Sequence, residues 1–243
     1  MAKSAFRQAL EDAIELRHSA VHPWSEAWTS GKLNRDQLAE WVKQHFHYVS
    51  HFAEWVAAVY ANCPHPDVQH FLLENVTEEE GFVGMHGAAP VRHSDLLLEF
   101  GEVCGKSRQE ILNAQINGEL LPETLGLQSW CTVQSRKPFV EALSGLLIGL
   151  ESQVPRIYAK TTPPLLEKYG FSEEEVTFFT IHIAADVEHG EKGYEIVEKF
   201  ATTDEQRAAC VRNVREATMM RRLYLDGVWR TFVEKKADRK LAA

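Results

Sequence analysis

Three observations predict an all-α fold. No segment alternates β-branched and polar residues between turn signals, as a half-buried strand would. Apolar residues recur at helical spacing in most stretches bounded by Pro, Gly or Asn. Helix-start signals are frequent, the plainest being Asn34, Ser107 and Ser172 with its acidic run Glu173–Glu175. The expected architecture is a compact single-domain bundle of about seven helices, with short connections between packed neighbours. It covers residues 1–243, with a core over about 22–200 and a C-terminal helix over about 204–235.

Each element has its own warrant. Ser4 to Ala20 sets Phe6, Leu10, Ile14 and Arg17 near one stripe. His22-Pro23-Trp24 interrupts that helix, and Ser30-Gly31-Lys32 is a turn. Asn34 caps a long helix from Arg35 to about Asn62, with Gln37 at the capping-box position, and Cys63-Pro64-His65-Pro66 ends it. The next helix begins near Asp67 and is expected to run on through Glu78, Glu79 and Glu80 to His86. Two short helices, Ser94–Cys104 and Ser107–Ala114, meet at Gly105, and Gly118 to Glu123 is a loop. Leu125–Ser135 and Phe139 to about Lys160 are helical with Pro138 between them, and Thr161 to Pro164 is expected to break the chain. Ser172 opens a helix reaching about Phe200, and Asp204 to about Lys235 closes the bundle.

Composition narrows the function. A chain of 243 residues with 44% hydrophobic and 25% charged residues is ordinary for a globular protein with a sizeable core. The net charge of −9 lacks the basic footprint of a nucleic-acid binder, so no nucleic-acid partner is expected. The four cysteines are scattered without a C-x-x-C pair, as in a cytosolic protein with reduced thiols. Residues 1–18 lack a signal-peptide core, and no segment approaches the ~20 apolar residues of a membrane span. A cytoplasmic protein is expected.

The chemistry gathers in His182-Ile-Ala-Ala-Asp186-Val-Glu-His189. On a helix, i, i+4 and i+7 share a stripe, so two imidazoles and a carboxylate point the same way. Phe178, Phe179, Ile181, Ile183 and Val187 flank them, which argues for burial, although Glu188, Glu191 and Lys192 show that this helix also has a solvated face. Glu79 and His86, two helical turns apart, share a face if their helix is continuous. Gly81 and Gly84 between them cost that helix about 1 kcal/mol each relative to alanine. Glu151 follows the apolar run Leu146–Leu150 and there needs a cation, a metal or a donor; Arg156 is the salt-bridging alternative. Glu79, His86, Glu151, His182, Asp186 and His189 thus form a candidate ligand set from three helices. Bundle dimetal sites use such sets, and carboxylate with imidazole suits iron or manganese.

The same pattern, Glu79-x6-His86, then Glu151, then His182-x3-Asp186-x2-His189, resembles the ligand set of the heme-oxygenase-like dimetal oxygenases. Within them it is most similar to the CADD-like proteins, which make para-aminobenzoate. Trp28-x-x-Gly31-Lys-Leu-x-x-x-Gln37-Leu38, Glu151-Ser-Gln-Val-Pro-Arg156-Ile157 and Tyr169-Gly170-Phe171-Ser172 carry the likeness beyond the ligands. Asp186-Val187-Glu188-His189-Gly190 also resembles the pyrroloquinoline quinone synthase (PqqC) relatives, which oxidise without a metal. The resemblance spans about His22 to Phe200 and implies a heme-oxygenase-like domain with its site between helices. It departs where the self-sacrificing CADD-like enzymes resemble one another. Ser25 and Leu150 stand where two tyrosines are expected, and Thr161 where a lysine is.

The expected function is therefore a non-heme dimetal, O2-activating oxygenase or oxidase acting on a small organic, amino-acid-like molecule. Its cofactors would be two iron ions, or an iron–manganese pair, with O2 as co-substrate and an external reductant where the electron balance asks for one. Arg156 or Lys160 is expected to hold a substrate carboxylate, and His47 and His51, one turn apart, to line the pocket. A homodimer is expected because these folds often pair. The rivals are a metal-free PqqC-like oxidase, a para-aminobenzoate synthase consuming its own residues, a thiaminase-like hydrolase and an interaction module.

Overall fold

Helices form where caps and apolar stripes coincide, and they end where packing demands it. The computed structural model describes residues 3–82 and 90–234, except the side chains of Ala184 and Ala185. Helix α1 spans Ala5–Glu15, α2 Pro23–Thr29, α3 Arg35–Val49, α4 Phe52–Asn62 and α5 Pro66–Glu79. Helix α6 spans His93–Val103, α7 Arg108–Asn113, α8 Pro122–Gln134 and α9 Phe139–Leu143. Helix α10 covers Val154–Glu167, α11 Thr177–Phe200 and α12 Asp204–Trp229. Among the described residues there is no strand, so the all-α expectation holds. The helices outnumber the seven expected because several long stretches are divided.

The predicted start of α3 is met: Asn34 accepts from the Gln37 N–H, and the Gln37 side chain accepts from the Asn34 N–H. Ser107 with Glu110 and Thr203 with Gln206 form the same box at α7 and α12. Pro23, Pro66 and Pro122 sit in first turns, where a missing N–H costs nothing. The stretch after His22, expected to be a break, is thus the short helix α2.

Four differences shape the interior. The stretch 35–62 is two helices, divided at Ser50 and His51, with neither Pro nor Gly at the break. Helix α5 stops at Glu79 instead of running to His86. Gly81 takes φ +72, and a Cβ there would lie 2.4 Å from the backbone of Val91 and Arg92. After α9 the chain takes a π-turn over Ser144–Ile148 and a 3-10 turn over Glu151–Gln153, where a continuous helix was expected. Helix α10 passes through Pro163 and Pro164 rather than ending there. The Ser172–Glu175 cap does form, with the Ser172 N–H donating to Glu175 Oε2 at 2.7 Å, but the α-helix proper begins at Thr177.

The apolar core runs from Leu10 in α1 to Val228 in α12. Helix α12 packs on α1, α8 and the π-turn, and α11 packs on α10. Trp24, Trp28, Trp41 and Phe179 meet edge-to-face or stacked at the centre. All four cysteines are buried and unbridged. Among the described residues no helix is long and apolar enough to cross a membrane.

Candidate metal centre

Two triads of donors converge between α5, α6, α11 and the irregular segment before α10. In the first, Glu79 from the end of α5, His93 from the start of α6 and His182 from α11 bring donor atoms within 4.8 Å of one another. In the second, Glu151, Asp186 and His189 do the same. The stripe His182, Asp186, His189 runs along α11 as the helical spacing requires, and links the triads. Glu151 faces inward because the π-turn rotates the chain by one extra residue and Gly149 lies against Ala217 of α12.

Hydrogen bonds fix these groups. His189 sits between two carboxylates, with Nδ1 at 2.9 Å from Glu151 Oε1 and Nε2 at 3.0 Å from Glu78 Oε2. Asn75 approaches the same Nδ1 at 3.0 Å. His93 Nδ1 is 3.2 Å from Glu79 Oε2, and the His93 and His182 rings are 4.6 Å apart. His182 Nδ1 donates to the Phe178 carbonyl, which leaves Nε2 unprotonated, the form a metal ligand takes.

The protonation states follow from burial and neighbours. Burial opposes charge on His189, but its two carboxylate partners outweigh that and hold it up to about 11. Burial, with His93 adding to it, lowers His182 to about 4. Asp186 is pushed well above the carboxylate range by burial and then by the Glu151 charge. Glu79 is lowered and His93 raised, since their mutual attraction overcomes the burial that opposes each charge.

This donor set fits a pair of metal ions. Three buried carboxylates, Glu79, Glu151 and Asp186, crowd one interior with the half-buried Glu78 beside them, and Glu151 Oε2 is buried there with no hydrogen-bond partner among the described residues. An oxyanion orphaned away from water calls for a cation. Oxygen and imidazole donors without thiolate suit iron or manganese.

Beside the cluster lies a small cavity bordered by Tyr48, Phe52, Tyr158, His45 and Arg221 as well as Glu79, Glu151, His182 and Asp186. The break between α3 and α4 opens it, since Tyr48, Val49 and Phe52 flank that break.

Of the predicted ligands, Glu79, Glu151, His182, Asp186 and His189 are brought together, and His86 lies outside the described residues. The residues expected to contact substrate, Arg156, Lys160, His47 and His51, are not among those bordering this cavity. Arg156 faces solvent and pairs with Glu15 at 2.7 Å. Lys160 pairs with Glu26 and the Ala20 carbonyl. His47 is bound to the Ile111 carbonyl at 2.8 Å, and His51 pairs with Glu54 near the surface. His93, given no role from sequence, joins the first triad; its isolation in sequence carries no signal. Arg221 is likewise absent from the predicted set, although it does carry a signal. It falls on the buried stripe of α12 with Ala217, Tyr224, Leu225 and Val228, where an arginine is out of place.

Fold and donor set together describe an all-α protein with a candidate carboxylate–imidazole metal site. The chain belongs to the family of iron-containing redox enzymes, whose model matches residues 39–222. It is similar to the 4-aminobenzoate synthase of Nitrosomonas europaea, at 31% identity over 239 aligned residues, covering 94% of this chain and 92% of that one. It is also similar to the pyrroloquinoline-quinone synthase of Cronobacter sakazakii, at 27% identity, covering 70% of this chain and 65% of that one. A domain with a heme-oxygenase-like fold from Shewanella denitrificans superposes with a TM-score of 0.70 at 19% identity, covering 93% of this chain and 90% of that one. The heme-oxygenase-like fold and the oxidoreductase class anticipated from sequence are thus met.

Proposed function

We propose that this protein is a dimetal-dependent oxidase or oxygenase that uses O2 to oxidise a small organic molecule supplied from outside the chain. The observation that carries the reading is the pairing of two donor triads along one stripe of α11, with a buried Glu151 oxygen in the second that has no hydrogen-bond partner among the described residues. Glu79, His93 and His182 would hold one ion and Glu151, Asp186 and His189 the other, with His86 a further candidate donor. The metal pair, when bound, supplies the electrons that activate O2.

The chain's own part is to orient its donors. His182 is held as a neutral donor by the Phe178 carbonyl, and His189 must release a proton to bind. Phe52, Val154 and Phe178 give the chamber an apolar wall. An external substrate is favoured because Ser25, Leu150 and Thr161 occupy the positions where self-consuming relatives are expected to carry two tyrosines and a lysine. Tyr48 and Tyr158 do line the chamber, so a self-consuming reaction at one of them is the second reading.

Anaerobic loading with Fe(II), followed by elemental analysis and an optical spectrum in air, tests the centre. Up to two irons per chain and an O2-dependent change are expected, and protein that stays metal-free in excess Fe(II) refutes the reading. Intact mass before and after aerobic turnover separates the two substrate sources. An unchanged mass is expected, and loss of a tyrosine side chain assigns the reaction to the chain itself.

A further inference from the structure

Three consecutive backbone carbonyls at the irregular segment before α10 each accept from a side chain. Ser152 Oγ donates to the Ile148 carbonyl at 2.6 Å, and Gln153 Nε2 donates to the Gly149 carbonyl at 2.6 Å. Both donors lie four residues further along the same segment. The third is remote: Arg221 Nη1 of α12, 71 residues away, donates to the Leu150 carbonyl at 3.0 Å. Leu150 lies between the π-turn over Ser144–Ile148 and the 3-10 turn over Glu151–Gln153. The hydrogen-bond register changes there from i+5 to i+3, so the direction of the next side chain depends on how this peptide is held. Helix α12 meets the junction twice, one turn apart and on one stripe. Ala217 lies against Gly149, where an added Cβ would be 2.4 Å from that of Ala217, and Arg221 takes the neighbouring carbonyl.

Arg221 is 6% exposed and borders the cavity together with Glu79, Glu151 and Asp186. A guanidinium in such company would ordinarily pair with a carboxylate. Arg7, Arg92, Arg108, Arg156 and Arg230 each do so. Arg221 forms no ion pair with a carboxylate among the described residues, and its printed bond goes to the backbone. Glu151 therefore keeps Oε1 on His189 at 2.9 Å and Oε2 without a hydrogen-bond partner among the described residues. By charge alone, a buried arginine would weaken cation binding close by.

We infer that Arg221 is a positioning residue for the metal centre: by holding the Leu150 carbonyl it fixes the peptide from which Glu151 projects, so that the carboxylate reaches the second donor triad with one oxygen free. This deepens the reading proposed above, and it rests on that reading only in taking the captured cation as one of a pair. Charge and geometry act with opposite signs here. Outer partners that orient metal ligands are commonly worth ten- to a hundredfold in affinity, so the geometric effect is expected to prevail.

Anaerobic Co(II) titration of the full chain, followed by calorimetry and ligand-field absorption, reads both signs. Two binding steps are expected in wild-type protein, and Glu151→Gln marks the step that uses the second triad. Arg221→Gln should weaken that same step by about ten- to a hundredfold, alter its absorption band, and leave the other step no weaker. The double variant should lose no more than Glu151→Gln alone. Arg221→Lys, which keeps the charge and a donor, should recover part of the affinity. Tighter or unchanged binding of both ions in Arg221→Gln would show that only the charge matters and overturns the inference. Additive losses in the double variant, or equal weakening of both steps with a lower urea midpoint, overturn it as well, because Arg221 would then not act through Glu151. If Arg221→Gln loses its helical circular dichroism, Arg221→Lys carries the same cycle. In metal-free protein the urea midpoints of the two single variants and the double variant should also be non-additive, since the contact between Glu151 and His189 depends on the held peptide. Protein that shows this coupling yet takes up no metal keeps the positioning role and loses the dimetal reading, so the two can fail separately. Additive midpoints in such metal-free protein overturn both.

Discussion

Metal binding should tighten steeply with pH, because His189 must lose a proton before it can become a ligand. Its ring lies between Glu151 at 2.9 Å and Glu78 at 3.0 Å, and satisfying both carboxylates takes an N–H on each nitrogen, which only the imidazolium has. Those partners outweigh the burial that opposes its charge and hold it up to about 11. A metal accepts only the neutral ring, so affinity should rise about tenfold per pH unit between about pH 6 and pH 8. At about pH 7 the proton must be removed across about four units, which costs roughly 5 kcal/mol. His182, lowered to about 4, is already neutral and adds nothing to the slope. Without metal the sign for stability is reversed. A raised imidazole stabilises the fold fully below its unfolded value of about 6.5, and that contribution is lost as pH climbs towards its folded value. The melting temperature of metal-free protein should therefore fall over that interval. Zn(II) titration by calorimetry, in buffers of different ionisation enthalpy, counts the protons released. His189→Ala should keep its helical circular dichroism and lose the His189 part of the slope. An affinity unchanged across this pH range, with no proton released, would refute the reasoning.

His18 provides a pH dependence away from the centre. Its Nδ1 accepts from the Ala20 N–H, and burial, with Arg156 adding to it, lowers it to about 4. The neutral ring's stabilisation is present above about pH 6.5 and is lost as pH falls towards its folded value, by roughly 3 kcal/mol in all. His18→Asn should flatten the acid limb of a urea-denaturation series, and an identical limb in the variant would count against this account. Gly149→Ala should destabilise the fold by about 1–3 kcal/mol through overpacking. Its Cβ would lie 2.4 Å from that of Ala217 and 2.6 Å from the Gly145 oxygen. An unchanged urea midpoint would show that α12 yields there at no cost.

Local chemistry makes part of this protein legible in its sequence. The Asn34–Gln37 box starts α3 where the side chains alone place it, and α11 carries His182, Asp186 and His189 on one stripe because helical periodicity leaves no choice. Glu151 is also recognisable, as a carboxylate behind an apolar run, although Arg156 offers itself in sequence as its partner. Tertiary packing decides the rest. No Pro or Gly marks the break at Ser50 and His51, which opens the chamber beside the cluster. Gly81 is visible in the sequence, but what makes it obligatory is the backbone of Val91 and Arg92, distant along the chain and 2.4 Å away in space. His93 has no neighbour along the chain to betray it and meets Glu79 and His182 only because the start of α6 lies against the end of α5. Arg156 and Lys160 look available for a substrate in sequence, yet Glu15 and Glu26, far off along the chain, hold them. Periodicity determines which residues share a face of one helix, whereas a site between helices depends on how several faces are brought together.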